Sequence, residues 1–177
     1  VTANPTGTIT YTITGTDING CVNTTTSTVT VNPSPIITVN SGTICVGQSL
    51  ILTASGASTY SWSPATGLSS TTGTSVTANP TVTTIYTITG TDGLGCTGTA
   101  TSTVTVNPLP IISVTPASST ICFGGSGTTL TASGALTYSW SPATGLSATT
   151  GTVVTASPTS TTIYAVDGTD ALGCIGT

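Results

Sequence analysis

Three near-identical phrases hold the residues best able to do chemistry. "TGTDINGC" ends at Cys21, "TGTDGLGC" at Cys96 and "DGTDALGC" at Cys174. Each sets an Asp four residues ahead of a Cys: Asp17, Asp92 and Asp170. Two more cysteines, Cys45 and Cys122, stand in "ICVG" and "ICFG". A carboxylate and a thiol at a fixed spacing offer three kinds of chemistry: a metal site, a reactive thiolate or a cross-link.

The rest of the composition narrows the choice. The 177 residues include no Lys, Arg or His, and all 4 acidic residues are Asp. Most general acids, bases and oxyanion clamps are therefore missing, and a Cys–His dyad cannot form. The chain reads as non-enzymatic. Zinc needs clustered Cys or His, but the nearest cysteines are 24 residues apart. Calcium takes six to eight oxygens, usually several from carboxylates. Its only candidate ligands are Asp17, Asp92, Asp167 and Asp170, one per phrase with Asp167 added in the last. The competing reading is that each Asp opens a turn by bonding its own backbone, and this is preferred. No cofactor is expected, with calcium kept as an alternative. "CVGQ" at Cys45 suggests a thioester, but the matching stretch after Cys122 lacks the Gln.

Charge excludes further classes. Nucleic-acid binding relies on Lys and Arg to neutralise phosphates, and a polybasic lipid anchor needs the same residues. No apolar run approaches the ~18 residues of a membrane span. Charged residues are 2% of the chain and hydrophobic ones 36%, a balance unlike that of disordered chains. Val, Ile and Thr dominate, and β-branched residues favour strands. Solubility must then rest on hydroxyls, on glycans or on assembly.

The elements that position the Asp–Cys phrases are repeats. "VTANPT" starts at Val1 and Val76, and "VTASPT" at Val154, giving periods of 75 and 78 residues. "YSWSPATGLS" occurs word for word at Tyr60 and Tyr138. Phased on the Pro-x-Pro joints, residues 1–32 are the end of one repeat, 33–107 a complete repeat and 108–177 a repeat without its last strand. An excerpt from a longer chain is expected. In the complete repeat, strand signals fall at 36–40, 49–55, 59–63, 74–79, 84–91 and 99–107. Cys45 and Cys122 lie between the first two. Asp92-Gly93-Leu94-Gly95 forms the last hairpin turn. Alternation marks a core of Leu52, Trp62, Tyr86 and Ile88, repeated as Leu130, Trp140, Tyr164 and Val166. Tyr11 and Ile13 take the corresponding places in the first piece. About seven short strands per ~75 residues indicate an all-β antiparallel sandwich.

A Trp on the third strand and a Tyr two residues before a core position resemble the immunoglobulin-like plan. The usual inter-sheet disulfide looks replaced by Leu52 and Ile88. The order "ICxG…LTASGA…YSWSPATGLS…TIYTITGTDxxGC…TVTVNP" resembles the Ig-like/PKD-like tandem repeats of large Bacteroidetes cell-surface proteins. Those include gliding-motility-associated and type IX-secreted adhesins. The "WDFGDG" box of PKD domains proper is missing. The resemblance implies export to the bacterial cell surface and a beads-on-a-string rod.

Exported proteins occupy oxidising space, where disulfides persist. Two pairings are open. One lies within repeats: Cys45–Cys96 and Cys122–Cys174, with Cys21 paired upstream. The other joins neighbouring repeats: Cys45–Cys174, with Cys21, Cys96 and Cys122 paired outside the excerpt or to neighbouring repeats. In an Ig-like sandwich the two Cys classes sit at opposite ends. At ~3.3 Å per residue they would be roughly 30 Å apart within one repeat, beyond the ~7 Å Cα limit of a disulfide. That geometry favours the second pairing. The expected function is a structural segment of a long extracellular adhesin, stalk or filament, stiffened by such bonds. Its partners are adjacent repeats and neighbouring copies in a filament or bundle. The alternative is an adhesion module that binds glycan or another surface.

Overall fold

Runs of alternating β-branched residues, broken at Gly, Asn and Pro, fold into fifteen strands and no helix in the computed structural model, which describes residues 1–177. In chain order these are β1 (Ile9–Thr16), β2 (Val22–Val29), β3 (Thr38–Val39), β4 (Gly42–Cys45) and β5 (Leu50–Ser55). β6 (Thr59–Ser63), β7 (Ser75–Ala78), β8 (Thr84–Thr91) and β9 (Thr97–Asn107) follow. The last six are β10 (Ser113–Thr115), β11 (Thr128–Ser133), β12 (Thr137–Ser141), β13 (Val153–Ala156), β14 (Ala165–Thr169) and β15 (Ile175–Gly176). The sheets have the orders β1-β2, β3-β5-β7, β4-β9-β8-β6, β10-β11-β13 and β12-β14-β15. The chain divides into two compact units.

The first unit comprises Val1–Ser41, Ile51–Ala78 and Ile85–Thr103. Side chains on a strand alternate between faces, and the burial follows that period. Leu52 and Ala54 on β5, Trp62 on β6, Val76 and Ala78 on β7, and Tyr86 and Ile88 on β8 are buried. Ile51 and Thr53, which flank Leu52 on the opposite face, are exposed. Two polar tips in this core are satisfied. Trp62 Nε1 donates to the Gly73 carbonyl at 2.8 Å, and the Tyr86 hydroxyl donates to the Thr66 carbonyl at 2.8 Å. The hairpin β1–β2 pairs Ile9 with Val29 through to Thr16 with Val22. Tyr11 and Ile13, placed by repeat symmetry at core positions, are 37% and 53% exposed. The reason is that this hairpin is a sheet by itself, with no second layer to cover it.

The single strand expected over 36–40 is corrected: only Thr38–Val39 of it forms, as β3, and after a break a further strand, β4, follows at Gly42–Cys45. β3 pairs antiparallel with β5, setting Val39 opposite Ala54. The break falls at Asn40, whose carboxamide takes over ladder bonds to β5. Its Nδ2 donates to the Ile51 carbonyl at 2.9 Å, and its Oδ1 accepts from the Thr53 N–H at 2.7 Å. Its own carbonyl accepts from the buried Ser102 hydroxyl at 2.7 Å. The backbone is thus free to leave one sheet without losing bonds.

The second unit comprises Gly42–Leu50, Asn79–Thr84 and Val104–Thr177. Here β4 runs parallel to the end of β9, from Gly42 opposite Val104 to Cys45 opposite Asn107. Cys45, expected between the first two strands, therefore ends an additional strand of its own. A Cβ at Gly42 would meet Leu50 Cδ2 at 2.8 Å, a contact that the end of the Leu50 side chain can shift to relieve. The core of this unit gathers Leu130, Ala132, Tyr138, Trp140, Val154, Ala156 and Val166. Tyr164, expected within it, is only partly buried against its rim. Leu130 keeps 8% exposure where Leu52 has 0%. β15 pairs with Gly168 and Thr169 of β14.

Candidate functional site

The three Asp–Cys phrases fold into one repeated turn. In the first, Asp17 Oδ1 accepts from the N–H groups of Asn19 at 2.9 Å and Cys21 at 2.8 Å. Asp92 Oδ1 does the same for Leu94 and Cys96, both at 2.9 Å. Asp170 Oδ1 accepts from Leu172 at 2.8 Å and Cys174 at 2.9 Å. The backbone closes each turn in return: Asp17, Asp92 and Asp170 donate their own N–H to the Cys carbonyls at 2.9, 3.0 and 3.0 Å. The residue before each Cys is a Gly at φ 82–84°, namely Gly20, Gly95 and Gly173. A side chain there would be strained, because only Gly adopts that region freely. Each Asp therefore holds the Cys backbone at both its N–H and its C=O.

This accounts for the carboxylates. Three of the four are acceptors inside separate turns. Asp167 lies on β14 and accepts from the Thr177 hydroxyl at 2.7 Å. No three Asp, Cys, Glu or His side chains come together in the chain.

The cysteines divide differently. Cys45 and Cys174 form a disulfide with Cα atoms 5.6 Å apart, across 129 residues of sequence. Both belong to the second unit, and Cys174 is fully buried. The strand end at Cys45 is fixed on its far side too, since Val46 donates to the Asn107 carbonyl at 3.0 Å and Gln48 to the Cys45 carbonyl at 2.9 Å. Cys96 is free and half-buried, while Cys21 and Cys122 are free and exposed. The within-repeat pairs Cys45–Cys96 and Cys122–Cys174 are thus not formed.

The sequence reading did not foresee the Asp as a clamp on the Cys. The signal was present in the constant four-residue spacing, which lets one carboxylate reach both turn N–H groups. Elsewhere the surface offers hydroxyls. A shallow depression of about 470 Å³ is lined by Ser58, Thr59, Ser61, Thr72, Thr89 and Thr91 among others. Hydroxyls alone supply no group that exchanges a proton near neutral pH.

No protein-family model matches the chain, and no curated protein sequence does. Among solved structures it is similar to a Ca2+-stabilized adhesin that helps an Antarctic bacterium reach out and bind ice. That match has TM-score 0.42 and 16% identity, over 96% of this chain and 54% of the other. It is also similar to the extracellular cadherin domains 1–4 of protocadherin gamma B7, with TM-score 0.32 and 13% identity, over 97% and 56%. The human desmocollin-1 ectodomain gives TM-score 0.31 and 13% identity, over 97% and 43%. The chain spans about half the length of these structures. At such TM-scores the fold assignment rests on strand order and register.

Proposed function

We propose that the chain is a structural segment of a long extracellular adhesin, stalk or filament, in which disulfides fasten one repeat to the next. The observation that carries this reading is the Cys45–Cys174 bond. In the 75- and 78-residue phasing, Cys45 belongs to the repeat over 33–107 and Cys174 to the repeat over 108–177. A bond between such positions turns a hinged joint into a fixed one. It also suits an oxidising space outside the cell, where disulfides persist. The motif order supports an origin among exported Bacteroidetes surface proteins of the gliding-motility or type IX-secreted kind. The absence of His, Lys and Arg supports a role without catalysis.

Two measurements on the 177-residue chain test the reading. Non-reducing peptide mapping should link Cys45 to Cys174; trypsin finds no site here, so a protease that cuts at aromatic residues is used. Small-angle scattering should show a broader distribution of dimensions after reduction. A Cys45–Cys96 linkage, or scattering unchanged by reduction, would refute the fastened joint. A second reading, a glycan-binding module, draws on one observation: Phe123 is an exposed loop aromatic, 87% accessible. Retention on a glycan array that Phe123→Ala abolishes would favour it.

A further inference from the structure

The shallow depression of about 470 Å³ in the repeat over 33–107 is part of a wider grid of hydroxyls. β6 and β8 set Thr59 opposite Thr91, Ser61 opposite Thr89 and Ser63 opposite Thr87. The buried Tyr60, Trp62 and Ile88 alternate with them, so these hydroxyls share the outer face. β9 lies on the other side of β8. The turn between β8 and β9 has the same backbone bonds as the turn between β1 and β2, whose strands pair Thr12 with Thr26 and Thr14 with Thr24. By that register Thr87, Thr89 and Thr91 stand opposite Thr101, Thr99 and Thr97. Rows of hydroxyls therefore run across three strands, with neighbours ~4.8 Å apart across the sheet and rows ~6.8 Å apart along it.

We propose that this face is a binding site for an uncharged polysaccharide, which seats in the depression and crosses the strands. The site stands apart from the fastened joint and from Phe123.

The depression is built in advance of any ligand. Its wall is the segment 72–74, which is tied to β6. The Trp62 N–H donates to the Thr71 carbonyl at 2.8 Å and the Gly73 N–H to the Tyr60 carbonyl at 3.3 Å. The buried Trp62 indole donates to the Gly73 carbonyl at 2.8 Å. Binding does not have to order this wall, and a preformed site loses less affinity to ordering. Its volume lies within the ~300–1,000 Å³ usual for small-ligand sites.

The lining selects the class of ligand. Each Ser or Thr hydroxyl donates one hydrogen bond and can accept two. On the other sheet of this repeat outward hydroxyls bond each other, Thr38 with Ser55 at 2.7 Å and Thr53 with Ser75 at 3.0 Å. Those of Thr59, Ser61, Thr89 and Thr91 have no partner within the chain, so their bonds go to whatever covers them. An anion finds no Lys, Arg or His. A cation finds the Asp92 carboxylate already engaged in its turn. A charged group placed on this face would stay unpaired, and an apolar one would leave the hydroxyls unpaired. A neutral molecule rich in hydroxyls meets neither penalty. Because one neutral hydrogen bond contributes little, the ligand must engage several rows, which an extended sugar chain does and a single ring does not.

The later repeat shows which position matters. There β12 and β14 pair in the same way, but Asp167 stands opposite Ser139 where Thr89 stands opposite Ser61. Leu136 takes the place of Ser58. A carboxylate in the middle of the grid is thus compatible with the strand pairing, and it ends the neutrality of the face. Of these two repeats, the site belongs to the one over 33–107.

Native affinity electrophoresis of the 177-residue chain tests this, because its net charge of −4 carries it through a gel in which neutral polysaccharide stays still. The probes are dextran, mannan and a soluble β-glucan, with carboxymethyl cellulose as the charged counterpart. At least one neutral probe should retard the chain, and carboxymethyl cellulose should not. Thr89→Val keeps the shape and removes one hydroxyl, so the apparent affinity should fall roughly threefold to tenfold, the worth of one neutral hydrogen bond. Thr89→Asp should abolish retardation, with tryptophan fluorescence checking that the fold is kept; if it is not, Thr89→Val decides alone. Thr77→Val, at an exposed position of β7 on the other sheet, should change nothing. Retardation by none of the three neutral probes overturns the proposal. So does equal retardation by carboxymethyl cellulose, or binding that Thr89→Val leaves intact. Binding that Phe123→Ala abolishes while Thr89→Val does not places the ligand at Phe123 and overturns it too.

Discussion

Replacing Asp170 with Ala tests the clamp on the cross-linking cysteine. The substitution removes the acceptor for two backbone N–H groups, those of Leu172 and Cys174. Leu172 is exposed, so water can take over its bond and the loss there is small. Cys174 is fully buried, so its N–H is left without a partner. An unsatisfied buried donor costs about 1–3 kcal/mol, and the bond lost is to a charged acceptor, so a total near ~2–3 kcal/mol is expected. The same motif supplies its own control. In Asp17→Ala the matching Cys21 is exposed and its N–H meets water, so the loss should stay within ~0.5 kcal/mol, the ordinary range for surface sites. Asp92→Ala, with Cys96 half-buried, should fall between. Urea unfolding followed by tryptophan fluorescence reads the series. With a slope of about 1–3 kcal/mol per molar urea, Asp170→Ala should lower the midpoint by roughly 1 M. Asp170→Asn keeps an acceptor oxygen and should behave nearly as the parent. Equal effects at positions 17 and 170 would refute the reasoning, because burial of the Cys would then be irrelevant. An Asn variant as damaged as the Ala variant would show that charge, not the acceptor, is what matters.

Tyr86→Phe removes the hydroxyl that donates to the Thr66 carbonyl. It should cost about 1 kcal/mol, read as a lower urea midpoint, with a smaller loss for Tyr164→Phe on the rim of the other core. Because the carboxylates of Asp17, Asp92 and Asp170 already serve separate turns, millimolar calcium should leave the melting temperature unchanged, and EDTA likewise; a rise that EDTA reverses would identify a calcium joint.

Much of the fold was legible because alternation along a strand is a local signal. Leu52, Trp62, Tyr86 and Ile88 declare themselves by spacing, and all are buried. The break at Asn40 was not legible. An Asn inside an apolar run reads only as a strand end, while its bonds to Ile51 and Thr53 lie 11 and 13 residues away. β4 was hidden for the same reason: its partner, the end of β9, lies about sixty residues on, with Gly42 opposite Val104. Tyr164 packs against the core but is only partly buried. Its type and spacing match Tyr86, but burial depends on the strand alongside, which no local pattern reports. At the site, the turn role of the Asp residues was readable from type and position. The grip on the Cys backbone required the turn to be closed.

β4 and the end of β9 run in the same direction, with four residue pairs from Gly42–Val104 to Cys45–Asn107. That parallel pairing has a mechanical consequence. Tension that enters a repeat through β4 and leaves through β9 pulls the two strands past each other along their length. All four pairs then resist together, whereas an antiparallel hairpin pulled from its open end parts one pair at a time. Cys45 stands at the last of those pairs, so load that reaches the end of β4 meets a covalent bond to Cys174 where the hydrogen bonds end.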